Sequence, residues 1–148
     1  MRVEELLSKV ARLFLDTAPV IYYSEKHPVY YTTVSPIFQS IDAEHITAVT
    51  SVITLSECLV HPCLRGLIEL QNDYFDLIVH GANVEFVLQD EQVGLLAAQL
   101  RARYRITLPD ALQIATALQS RCDAFLTNDT ELKRVQELQI VVVQELSL

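Results

Sequence analysis

Short apolar runs alternate with longer helical patterns along this chain, and the alternation leaves few folds open. Arg12–Asp16 (RLFLD), His45–Thr50 (HITAVT), Val84–Leu88 (VEFVL), Ala124–Thr127 (AFLT) and Ile140–Val143 (IVVV) are the predicted strands. Helical patterns fall between them. One starts near Pro19, and a second covers Val29–Ala43, where Pro36 must interrupt or start a helix. A third opens on Thr54-x-x-Glu57, read as a capping box, and ends by Pro62. Leu67–His80 is stopped by Gly81, and Glu91–Tyr104 follows the third strand. Leu108-Pro109 opens Asp110–Ser120, and Asp129–Gln136 is a short last helix. His27–Thr33 is the segment expected to be a mobile loop.

Strands that alternate with helices imply crossover connections and a mostly parallel sheet covered on both faces. The apolar runs are continuous, as buried parallel strands are. Only three glycines occur among 148 residues, too few for the tight turns of a small β-sandwich or barrel. The length suits one domain. No apolar run reaches a membrane span, and the N-terminal stretch MRVEELLSKVARLFLD lacks the apolar core of a signal peptide. Cys58, Cys63 and Cys122 are an odd set without framework spacing and read as buried thiols, which predicts a cytoplasmic protein. Cys58-x-x-His61-x-Cys63 lacks a fourth ligand and does not read as a zinc site.

In parallel α/β sheets, ligands gather at the carboxyl ends of the strands. Four acids are predicted there. Asp16 ends the first strand, Glu57 lies early in the helix after the second, Asp110 opens a helix, and Asp129 follows the fourth strand. An acid at a helix start is common for dipole reasons alone, so it is the coincidence of four that carries weight. Converging carboxylates repel one another unless a cation compensates them. Their hard oxygens suit Mg²⁺ or Mn²⁺, ions that serve phosphodiester hydrolysis.

Other classes fare worse. The formal net charge of −8 points away from a protein that coats duplex DNA. No P-loop or dinucleotide fingerprint is present. An aspartyl phosphatase would want an acid two residues after the first, where Ala18 stands. A receiver-like domain would want adjacent acids and a late lysine, and neither is clear. A non-catalytic binding module with the same fold stays open. Arg101, Arg103 and Arg105 precede Asp110 and are candidates for drawing RNA phosphates to the site, or are helix-end cations. Tyr22, Tyr23, Tyr30 and Tyr31 are candidates for base stacking or for core and interface packing.

The stretches LFLDTAPVIYY, SVITLSECL, LPDALQIATAL and FLTNDTEL resemble, in order and spacing, the signature blocks of PIN domains, above all the VapC-like toxins of toxin–antitoxin pairs. The resemblance spans roughly Leu13 to Val143. It implies a single PIN domain over 1–148, a three-layer α/β/α fold around a mostly parallel five-stranded sheet, and Mg²⁺- or Mn²⁺-dependent endoribonuclease activity. It makes Asp16, Glu57, Asp110 and Asp129 the metal-binding acids, with Thr17 and Thr127 as polar supports. Asn128 is read as shaping the turn before the last acid. The implied partners are RNA, a small antitoxin that covers the acidic groove with a basic side chain, and a second copy in a homodimer placed near Tyr30 and Pro36. Ala18-Pro19 departs from the pattern, since many relatives carry Asn soon after the first Asp-Thr.

Overall fold

The protein is described by a computed structural model covering residues 1–148. After a first helix α1 (Val3–Lys9) comes β1 (Arg12–Leu15), then α2 (Thr17–Ser24) and α3 (Tyr31–Asp42). β2 (Thr47–Ser51) leads into α4 (Val52–Arg65) and α5 (Ile68–Ile78). β3 (Val84–Val87), α6 (Glu91–Tyr104), α7 (Leu108–Gln119) and β4 (Ala124–Thr127) follow. A 3₁₀ turn (Thr130–Arg134) and β5 (Gln139–Val142) close the sheet.

All five strands are parallel, in the order β3-β2-β1-β4-β5. The sheet expected to be mostly parallel is wholly so. β1 lies in the middle, with Phe14 opposite Val49 on one side and Phe125 on the other. Because side chains alternate across a strand, Leu13 and Leu15 point into one core and Phe14 into the other. The first core lies under α1 to α5, and the second under α6 and α7. Phe14 and Phe125 stack in the second core with ring centroids 5.1 Å apart.

Two prolines sit differently from expectation. Pro36 lies inside α3 without interrupting it. Val34, Ile37, Phe38 and Ile41 form a buried stripe at helical spacing, and that burial outweighs the backbone bond that proline forgoes. α4 likewise runs through Pro62 to Arg65. Its true stop is Gly66, left-handed at φ 65°, where the Leu67 amide donates to the Pro62 carbonyl at 2.9 Å.

Thr54-x-x-Glu57 is not a capping box. Ser51 caps α4, its hydroxyl accepting from the Ile53 amide at 3.1 Å, and Thr54 is fully buried. α1 was not expected as a helix. It docks through buried Val3 and Leu6, and the Val3 amide donates to the Ser147 carbonyl near the other terminus. Cys58 and Cys122 are buried as expected, whereas Cys63 is exposed on α4. The segment expected to be mobile is held locally. His27 Nδ1 accepts from the amides of Val29 and Tyr30, its ring packs between Tyr22 and Tyr30, and helix resumes at Tyr31. No helix is long and apolar enough to cross a membrane.

If the Phe14–Phe125 stack anchors the second core, Phe14→Ala will lower the unfolding free energy by about 3–5 kcal/mol. Urea denaturation measures it, and a loss under about 1 kcal/mol would contradict this packing account.

Candidate active site

Where β1 passes to β4 the strand order reverses direction, and the carboxyl ends of the two strands open into a crevice. A cleft of about 450 Å³ lies there, and Asp16, Glu57, Asp110 and Asp129 all line it. No lysine or arginine does.

Each acid is delivered by a different element. Asp16 directly follows β1 and precedes α2. Glu57 stands on α4, one and a half turns from the Ser51 cap. Asp110 is in the first turn of α7, whose cap Thr107 accepts from the Asp110 amide at 3.3 Å. Asp129 follows β4 and accepts from the Glu131 amide at 2.9 Å, so it also opens the 3₁₀ turn. The acids are therefore fixed by backbone on both faces of the sheet.

Asp16 is buried, the other three less so. Burial pushes its carboxyl up to about 6, and the negative charges of Asp110 and Glu57 push the same way. The Thr127 hydroxyl, donating to Asp16 Oδ2 at 2.8 Å, and the Thr17 amide only partly offset this. Asp110 is raised too, first by burial and then by Asp129 and Glu57. Thr127 also accepts from the Asp129 amide at 3.2 Å, so one hydroxyl joins two of the acids. Across the cleft Thr17 Oγ1 donates to Glu57 Oε1 at 2.7 Å.

The donor set fits a hard divalent cation. Every charged group in the cleft is a carboxylate, and the charged form of the buried one is disfavoured first by burial and then by its acidic neighbours. No three of the side chains close around one point as a preformed cage. Mg²⁺ does not need one, because it commonly keeps several waters and takes only one or two carboxylates directly.

The basic residues go elsewhere. Arg101 Nη1 donates to the Ile106 carbonyl, Arg103 pairs with Glu137 at 2.6 Å, and Arg105 is the left-handed residue that ends α6. None of the three lines the cleft. Of the tyrosines, Tyr22 does line it. Its ring packs on Tyr30, and its hydroxyl accepts from Asn128 Nδ2 at 2.8 Å. Tyr23 stacks on Phe38 and Tyr31, away from the acids. Asn128 Oδ1 accepts from the Gln144 amide, so its side chain bridges α2 to the segment after β5, while the side-chain bonds of the turn itself come from Thr127 and Asp129. Ala18 lines the cleft, and Pro19 is buried.

A model of the PIN domain matches residues 13–138, and the chain belongs to the PIN domain family. Its fold is that of the VapC-like PIN proteins. The structure is similar to VapBC2 from Rickettsia felis, solved bound to a DNA fragment from its promoter, with TM-score 0.70 and 18% identity over 88% of this chain and 98% of that one. FitAB bound to an IR36 DNA fragment gives TM-score 0.71 and 20% identity, covering 92% and 98%. VapC20 from Mycobacterium tuberculosis, described as a sarcin–ricin loop cleaving toxin, gives 0.63 and 14%, covering 76% and 86%. No curated protein matches by sequence.

The raised Asp16 value has a direct consequence for the metal-free protein. A carboxyl whose folded pKa lies above its unfolded one adds stability at low pH, which is lost as pH rises through about 6. Asp16→Asn keeps an acceptor for Thr127 and removes that loss. In EDTA at pH 7.5 the variant will be more stable than wild type, by up to about 3 kcal/mol, and near pH 4 the two will converge. Thermal melts at both pH values check it, and a variant less stable at pH 7.5 would make the carboxylate structural.

Proposed function

We propose that this protein is a Mg²⁺- or Mn²⁺-dependent endoribonuclease and the toxin of a toxin–antitoxin pair. The observation that carries the reading is a cleft with four carboxylates and no cation at the strand-order switch. Membership of the PIN family supports nuclease chemistry, and the toxin–antitoxin neighbours support the biological role.

In this reading Asp16, Glu57, Asp110 and Asp129 would together hold the cation, which would answer the burial and neighbouring negative charge that raise Asp16 and Asp110. A divalent ion held there would supply Lewis-acid polarisation of a phosphodiester and a more acidic bound water. Thr127 keeps Asp16 and the Asp129 turn in register, and Thr17 keeps Glu57 facing the cleft. The cleft holds no serine, cysteine or histidine, and the hydrolysis we propose uses water as the nucleophile, without a covalent enzyme intermediate.

An anionic cleft does not attract RNA until the ion is bound. Arg105, exposed and near the start of α7, is the residue we assign to phosphate steering, with Arg101 and Arg103 contributing only where they leave their present partners. The proposed antitoxin carries a basic side chain into the same acids. A homodimer is proposed through α1 and α3, where Leu7, Pro36 and Leu148 border a shallow hollow. Sedimentation across a concentration series will show a dimer, and a monomer throughout would remove that interface.

The decisive assay is cleavage of RNA by the purified protein with Mg²⁺ or Mn²⁺ against EDTA, beside Asp110→Asn. Cleavage will require the metal and fall at least about a hundredfold in the variant, the loss of a few kcal/mol of transition-state stabilisation. Absence of both cleavage and metal binding would favour a PIN-fold binding module instead.

A further inference from the structure

We propose that Gln113 is a positioning residue for the metal-binding acids, locking together the three elements that carry Asp16, Glu57 and Asp110. The inference rests on the metal-dependent reading above and adds a residue that reading does not use.

Gln113 lies on α7 and is 1% exposed. Both ends of its amide are bonded. Nε2 donates to Thr54 Oγ1 at 2.7 Å, and Oε1 accepts from the Ser51 hydroxyl. Thr54 Oγ1 in turn donates to the Leu15 carbonyl at 3.0 Å. Ser51 Oγ accepts from the Ile53 amide and so caps α4. Every partner is buried, and no buried side-chain polar atom in the protein is left unpaired.

The placement of this relay relative to the acids is the argument. Leu15 immediately precedes Asp16. Thr54 is three residues before Glu57 on α4, and Gln113 three residues after Asp110 on α7, so each shares a helix face with its acid one turn away. Three elements from both sides of the sheet are thus clamped one layer below the carboxylates. Metal ligation tolerates only a few tenths of an ångström in ligand position, and a small roll of α7 against α4 would spoil it.

Packing alone does not require an amide here. The rest of the buried face of α7 is Ala111, Ile114, Ala115, Thr116 and Ala117, and an apolar side chain of equal length would fill the same space. Only a group with a donor at one corner and an acceptor at the other can bind Thr54 and Ser51 together. A carboxylate would keep the acceptor, lose the donor and add charge beside an anionic cleft.

The test is Mn²⁺ titration by calorimetry on wild type, Gln113→Met, Thr54→Val, the double variant, and Ile41→Val as a core control in α3. Thermal melts rank their stabilities. Gln113→Met will bind Mn²⁺ about tenfold more weakly, as loss of an outer-shell partner does, while Ile41→Val binds as wild type at comparable thermal stability. Thr54→Val will match Gln113→Met, and the double variant will be no weaker than either, since both cut one relay. Wild-type affinity in Gln113→Met overturns the inference, as does an equal loss in Ile41→Val. A wild-type protein that binds no Mn²⁺ overturns the functional reading and this inference together, and the wild-type titration alone tells that outcome apart.

Discussion

A carboxylate at the buried end of the central strand sets the terms for the rest of the site. Asp16 follows β1, which is flanked on both sides and has no exposed edge. Its charge can be answered only from the crevice above it. Protein groups supply one hydroxyl, from Thr127, and the neighbouring Thr17 amide, while Asp110 and Glu57 work against it. A site so arranged is costly when empty of positive charge, and a cation that occupies it returns that cost as binding and as folding stability. The fold around β1 is therefore held by apolar burial, with the crevice as the place where a buried charge costs most.

That expense is contained by drawing the acids from opposite faces of the sheet. Glu57 comes from α4, which packs on the first core, and Asp110 from α7, which packs on the second. Neither helix can carry its acid towards the other without disturbing a core. Thr127 adds a third constraint at β4 by bonding Asp16 and the Asp129 amide at once. Repulsion among the acids is thus resisted by hydrophobic packing on each side of a rigid sheet, and the acids are held at the end of the crossover strands, where the topology leaves room.

Much of this is legible in the chain. The strands read correctly because buried parallel strands are runs of apolar residues, and the four acids expected at one edge of the sheet do line one cleft. What escapes is whatever a distant partner decides. Pro36 and Pro62 look like helix breaks because the backbone rule is local, while the burial of Ile37, Phe38 and Ile41 that overrides it is tertiary. Thr54 looks like a cap because Glu57 stands three residues on, yet its hydroxyl turns inward to Leu15, 39 residues away. Arg101 and Arg103 look free until Ile106 and Glu137 are placed beside them. Gln113 gave no signal at all, since a polar residue within LPDALQIATAL reads as solvent-facing unless its partners, 59 and 62 residues away, are known.

Ala18 and Pro19 stand where the resemblance to PIN domains leads one to expect an amide nearby. An amide after the first Asp-Thr would add one more polar group to the α2 wall, yet no acid is left without a holder in its absence. Thr17 reaches Glu57 directly, and Asp16 is held by the Thr127 hydroxyl from β4 and by the Thr17 amide at the start of α2. The α2 wall is instead formed by Ala18, Ile21 and the ring of Tyr22. Beneath the cleft, Ser51, Thr54 and Gln113 are hydrogen-bonded and shielded from water, and each hydrogen bond is electrostatically stronger for that. Buried polar groups specify geometry at some cost in stability, and a core of leucines in their place would hold the helices together without fixing how they are turned.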